Sequence, residues 1–272
     1  MEYIIERQHK FSLGLKELIR YRELFYFFTW RDIKVKYKQA ALGFLWAILQ
    51  PLAMMMIFTL IFSKGLKVSS EGIPYPVFAL SGLIIWNIFS SGLLNSANSM
   101  VTNANIIRKI YFPRLIIPMS SILTALFDFC FALLIYIAVV IFYDHPTDWF
   151  RVIYCLPISI LLTVLTTFGL GTFLAALNVK YRDFQYVIPF LIQFLLFVNP
   201  VLYSSRIFGN GWLAWVMKVN PLANAINLSR SSFTGNPIDW QGVGLGFVVA
   251  LVILFIGVYT FRKTEAYFAD LA

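Results

Sequence analysis

The run Leu115–Phe142 reads LIIPMSSILTALFDFCFALLIYIAVVIF, twenty-eight residues that carry a single charge, Asp128. A hydrocarbon core of about 30 Å is crossed by roughly 20 apolar residues in helical form, so this segment is long enough to span a membrane. Five further stretches share its character: Phe44–Phe62, Val77–Ala97, Val152–Leu177, Phe184–Leu202 and Val243–Phe261. The whole chain of 272 residues agrees, being 60% hydrophobic, 18% aromatic and 13% charged. Soluble domains carry about 25% charged residues. That contrast excludes a soluble enzyme, a nucleic-acid-binding domain and a disordered chain. The fold class expected is an all-α polytopic membrane protein with six transmembrane helices. Residues 1–43 hold no short apolar core followed by a small-residue cleavage site, so no removable signal peptide is expected.

The charges orient the spans. Six crossings put both termini on one side, and cytoplasmic segments collect Lys and Arg. With the termini inside, 1–43, 98–114, 178–183 and 262–272 hold 16 of the 22 basic residues, for a net +8 against +2 outside. The net charge of +9 therefore reports topology and needs no nucleic acid. Both termini are expected in the cytoplasm. The chain divides into a cytoplasmic interface segment (1–43), a six-span domain (44–261) and a cytoplasmic tail (262–272). Cys130 and Cys155 lie in apolar runs and make no disulfide or metal framework.

The segments between the spans are informative. From Phe11 to Trp30 the residues Phe11, Leu15, Leu18, Ile19, Phe25 and Tyr26 recur at roughly helical spacing, which predicts an amphipathic helix in the membrane interface. Ile33–Lys38 alternates apolar and basic residues; abutting a span, it reads as a juxtamembrane lead-in rather than a strand. In the loop after the second span, Thr102-Asn103 is placed to cap a short helix through Ile106, Ile107 and Ile110, ending before Phe112-Pro113. Exposed isoleucines there fit either a partner surface or an interfacial helix resting on lipid. The external connection, about 203–242, contains Trp212 to Met217 and then Asn220-Pro221, an N-cap followed by proline at the first helical position. Gly235 and Pro237 supply the stop. Two short apolar helices predict a re-entrant helical hairpin between spans 5 and 6, with an ordinary helix pair dipping into the outer interface as the alternative.

No G-x-x-x-x-G-K-[ST] motif is present, and His9 and His145 lie outside the spans. No nucleophile–base pair is evident within the spans, and no metal site is expected. Asp128 is an intramembrane carboxylate and so a functional candidate, but one isolated acid makes no relay. It is read as structural, either neutral or hydrogen-bonded to a Ser, Thr or Asn of a neighbouring helix.

The residues Arg31-Asp32-Ile33-Lys34-Val35-Lys36-Tyr37-Lys38, then Leu42-Gly43-Phe44-Leu45-Trp46 and Pro51, resemble the permease subunit of polysaccharide ABC exporters, the transporters of O-antigen, capsule and teichoic acid. The likeness continues at Ile107–Pro118 (IRKIYFPRLIIP), at Tyr181-Arg182-Asp183, at Asn199-Pro200-Val201-Leu202-Tyr203 and at Asn220-Pro221, and so covers nearly the whole chain. Many relatives have serine where this chain has Asn199. The resemblance implies a homodimer in the inner membrane, two ATP-binding subunits carrying ATP and magnesium, no catalysis or cofactor in this chain itself, and a glycan linked to polyprenyl pyrophosphate as substrate. It makes Asn103, Asn105, Ile106, Ile107, Arg108, Lys109 and Ile110 the helix that couples to the ATPase, and Trp212, Trp215, Asn220 and Pro221 part of an external gate.

Two residue sets are expected to meet the substrate. Arg31, Lys34 and Lys38, spaced i, i+3 and i+7, share one helical face and would attract a pyrophosphate, although contact with anionic lipid explains them equally. Trp46, Phe58, Trp86, Phe89, Phe190, Phe194 and Phe197 are candidate channel-lining aromatics against which sugar CH faces could slide; packing and lipid contact are the competing roles. A small-molecule or drug exporter permease of the same architecture is an alternative function. A membrane-embedded transferase acting on lipid-linked sugars lacks the acid/base cluster it would need.

Overall fold

The computed structural model describes residues 21–38, 45–66, 70–181, 183–209 and 211–265. The described residues are helical and connected by short turns: α1 (Arg22–Lys38), α2 (Leu45–Phe58, continuing as a π-helical segment Thr59–Gly65), α3 (Tyr75–Thr102), α4 (Ala104–Ile107), α5 (Ile116–Phe142), α6 (Trp149–Lys180), α7 (Phe184–Val198), a 3₁₀ turn (Ser205–Phe208), α8 (Trp212–Val219), α9 (Pro221–Thr234) and α10 (Trp240–Glu265). Five of these helices are long and apolar enough to cross a membrane.

The apolar runs become helices close to their expected bounds, with one difference. The fifth run, Phe184–Leu202, yields a helix of only 15 residues, Phe184–Val198. At 1.5 Å per residue that is about 22 Å, short of the hydrocarbon thickness. The cause is Asn199-Pro200: a residue before proline avoids the helical region, and Asn199 is extended at φ −85°, ψ 149°. Val201 and Leu202 are buried in the turn that follows.

The amphipathic segment expected at Phe11–Trp30 lies partly outside the described residues. What is described is a helix through the lead-in itself, so Ile33–Lys38 is helical. This helix, α1, packs along the first half of α5. Its start joins a cluster of Phe28, Met100, Ile107, Phe112 and Leu115, and Tyr37 near its end meets Phe127 edge-on.

The core is built around α3, which packs on α5 and α6, while α10 lies against α6. The α6–α10 approach is close because both helices present glycine: a Cβ on Gly257 would sit 2.0 Å from the carbonyl oxygen of Gly169. Small residues are the usual means by which membrane helices bring their backbones together. α2 and α7 flank α3 from outside and cover it lightly.

Two short helices form between α7 and α10, and they differ in burial. In α8, Trp212 and Trp215 are exposed and Met217 is the buried residue. In contrast, α9 is sunk between α3, α6 and α10. Asn220 caps it as expected, accepting from the backbone N–H of Leu222 (3.0 Å) and Ala223 (3.3 Å), with Pro221 in the first turn and Gly235 in the left-handed region (φ 73°) at its end. The Asn220 amide also donates to Asn199 Oδ1 at 2.9 Å, tying the end of α7 to the start of α9.

Candidate functional site

Along the outward side of α3 the polar residues Asn87, Ser91, Asn95, Asn98 and Thr102 recur at steps of three and four, which places them on one helical face. None is fully buried. They line a groove made of three adjoining cavities that share wall residues. The lowest, about 830 Å³, is bounded by Arg31, Asp32 and Lys36 of α1, the α3 residues from Ser91 to Thr102, and Ser121 and Thr124 of α5. The middle one, about 660 Å³, lies between Lys36 and Tyr37, Trp46 and Gln50 of α2, Asn87 and Ser90, Asp128, and Phe190 and Gln193 of α7. The uppermost, about 190 Å³, is mainly apolar, with Met54, Phe58, Leu83, Trp86, Ile192 and Leu196. From Thr102 to Leu83 the groove follows about 28 Å of helix, at 1.5 Å per residue.

Asp128 sits at the centre of α5 and opens onto the middle cavity. Its partners differ from those expected: one carboxylate oxygen pairs with the Lys36 ammonium and the other accepts from the Tyr37 hydroxyl, both from α1. A carboxylate at this depth needs a counter-charge or a donor, and the helix packed on α5 supplies both. Burial, followed by the hydrogen bond to Asp128 and its charge, pushes the Tyr37 phenol well above its usual range, so Tyr37 remains a donor at neutral pH.

The three basic residues chosen for their spacing separate. Arg31 reaches the lower cavity; its guanidinium lies 4.8 Å from the Phe28 ring centre, pairs with Asp32 at 2.7 Å and donates to Asn103 Oδ1 at 2.7 Å. Lys34 and Lys38 are exposed, Lys34 over the Trp30 ring, and neither lines the groove. Lys36, which the i, i+3, i+7 pattern passed over, lines both the lower and middle cavities.

The aromatic set also divides. Trp46 and Phe190 border the middle cavity, and Phe58 and Trp86 the upper one. Phe194 and Phe197 are exposed on α7. Phe89 is the correction: it is 1% exposed, with its ring 5.4 Å from that of Trp86, and has no free face. An aromatic on an apolar span more often fills a core than lines a path.

Below the groove, α4 is a single turn. Asn103 precedes it but does not cap it; its amide donates back to Ser99 O at 2.8 Å while its oxygen accepts from Arg31. Of the three isoleucines expected to be exposed, Ile107 is buried with Phe28 and Phe112, Ile106 is half-buried, and Ile110 is exposed beside the exposed Tyr111. The outward surface is therefore Asn105, Arg108, Lys109, Ile110 and Tyr111.

At the opposite end, sequence reasoning missed Arg230. It is 3% exposed on α9, with its guanidinium 3.7 Å from the Phe78 ring centre. It donates to the carbonyls of Pro200 (3.1 Å) and Val201 (3.0 Å), which closes the turn after α7. No local pattern marks a buried arginine. A usable signal existed for the groove, in the amide and hydroxyl residues repeating along one face of an apolar span.

A bundle containing five helices long and apolar enough to cross a membrane defines a multi-pass membrane protein. The chain belongs to the ABC-2 type transporter family, whose description matches residues 23–234. It is 30% identical over 263 residues to the O-antigen export system permease protein RfbA of Klebsiella pneumoniae, covering 96% of this chain and 99% of that protein. It is also 27% identical over 259 residues to the protein of the same description from Myxococcus xanthus (94% and 98% covered). A third relative is the polysialic acid transport protein KpsM of Escherichia coli, 27% identical over 240 residues, or 86% of this chain and 91% of that protein.

Proposed function

We propose that this chain is the permease subunit of an ATP-driven exporter that moves a polysaccharide, linked to a polyprenyl pyrophosphate, across the inner membrane. The observation that carries the reading is the end-to-end similarity to O-antigen export permeases, which spans the groove, the loop after α3 and the external hairpin alike. The permease acts as a homodimer with both termini in the cytoplasm. Two ATP-binding subunits hold ATP and magnesium and dock beneath, on the surface formed by Asn105, Arg108, Lys109, Ile110 and Tyr111. The barely covered α2 and α7 supply the face toward the second copy, and the two grooves together form the conduit. The α8–α9 hairpin, with Trp212, Trp215, Asn220 and Pro221, closes its outer end. The lower cavity, where Arg31 and Lys36 converge, receives the pyrophosphate: guanidinium suits bidentate phosphate contacts and ammonium adds a point charge.

The test is purification with the ATP-binding subunit encoded beside it, followed by an ATPase assay with and without polyprenyl-linked glycan. Co-purification and glycan-stimulated hydrolysis are expected. A complex stimulated by small amphipathic drugs and indifferent to glycan would favour a small-molecule exporter instead.

A further inference from the structure

The middle cavity has a donor set the rest of the molecule does not use. The side chains of Gln50, Asn87, Ser90 and Gln193 line it and have no hydrogen-bond partner among the described residues. Gln50 and Gln193 are moreover exposed on helices that are mainly apolar. An amide facing hydrocarbon without a partner costs several kcal/mol. Three such amides and a hydroxyl around one cavity therefore mark a surface kept for water and for a hydroxyl-rich ligand. Trp46 is 56% exposed and Phe190 71% exposed at its rim, so ring faces stand ready beside the amides.

Charge sharpens the ligand class. Lys36 and Asp128 are the charged side chains that line this cavity, and they pair with each other. The cavity thus has no net charge, whereas the lining of the cavity below it, with Arg31, Asp32 and Lys36, carries one net positive charge. A carboxylate- or phosphate-bearing residue placed there would find the cavity's ammonium already paired with Asp128 and gain no net attraction.

We propose that the middle cavity is a subsite for neutral sugar residues: Gln50, Asn87, Ser90 and Gln193 take the hydroxyls, Trp46 and Phe190 take the CH faces, and the Lys36–Asp128 pair forms a charge-balanced floor. This rests on the polysaccharide-export reading and adds to it that the repeat unit is neutral. Amides pair with vicinal hydroxyls through donor and acceptor together, and the bond count per sugar stays low enough for a polymer to step past.

The experiment uses the full chain in its native host. Deleting the gene is expected to remove a surface polysaccharide, and compositional analysis of the lost polymer is expected to find neutral hexoses or deoxyhexoses. The double variant Asn87→Leu/Gln193→Leu, present at the wild-type level in the membrane, is expected to lower surface polymer at least tenfold. Asn87→Gln and Gln193→Asn, which retain the amides, are expected to keep at least half of it. If deletion changes no polysaccharide, the export reading itself falls. If the lost polymer carries sialic acid, uronic acid or phosphate in its repeat, the neutral subsite falls and the export reading stands. Normal export by the double leucine variant removes the subsite assignment alone.

Discussion

α2 and α3 are both apolar helices long enough to cross a membrane, yet 78% of the α3 spanning window is buried inside the chain and only 6% of that of α2. The two helices differ in what their side chains meet. α3 is gripped by α5, α6 and α9, and its polar stripe faces the groove on the remaining side. α2 touches its own subunit mainly along α3 and α5, leaving Met56, Ile57, Leu60 and Ile61 outside. Apolarity establishes that a segment belongs in the membrane. It leaves undetermined whether lipid, a neighbouring helix or a second subunit lies against it, because all three are equally apolar.

Substitutions test this contrast. The largest effect belongs to Gly82→Leu in α3, where a Cβ alone would lie 2.7 Å from the Val201 carbonyl oxygen and 3.1 Å from the Arg230 guanidinium. Overpacking against backbone costs about 3 kcal/mol or more, so the variant should fail to accumulate in membranes. Normal accumulation would show α3 to be less tightly held than described. Arg230→Met, on the helix packed against α3, should cost roughly 2–3 kcal/mol by stranding the Pro200 and Val201 carbonyls. The measurement is thermal unfolding of the detergent-solubilised protein, and an unchanged midpoint would reassign the guanidinium to a dispensable contact. The smallest effect is expected in α2: Met56→Ala, at a 55% exposed side chain, should shift subunit stability by less than about 0.5 kcal/mol. A cysteine at the same position should form a cross-link between copies if α2 faces its counterpart. Lipid-only labelling there would give this face to the bilayer.

What could be read from the sequence was local. Ile116–Phe142 lies within a residue of its expected start because the length and composition of the run settle it. The Asn220-Pro221 start and Gly235 stop of α9 were equally legible, since caps act within one helical turn. The end of α7 was not, because Val201 and Leu202 prolong the apolar run past the point where Asn199-Pro200 breaks the helix. Long-range pairings were beyond reach too. Asp128 is satisfied from 92 residues away by Lys36, and helical spacing favoured Lys34 and Lys38 over it. Arg230 was equally hidden, because its partners are the Phe78 ring and the Pro200 and Val201 carbonyls, far from it along the chain.

The two ties of α1 have a mechanical meaning. Arg31 holds Asn103 at the foot of α3, and five residues on, Lys36 and Tyr37 hold Asp128 at the middle of α5. A helix is stiff over such a distance, about 7.5 Å at 1.5 Å per residue. A displacement imposed at the loop after α3 thus acts on the floor of the middle cavity through one short lever, without first bending α5.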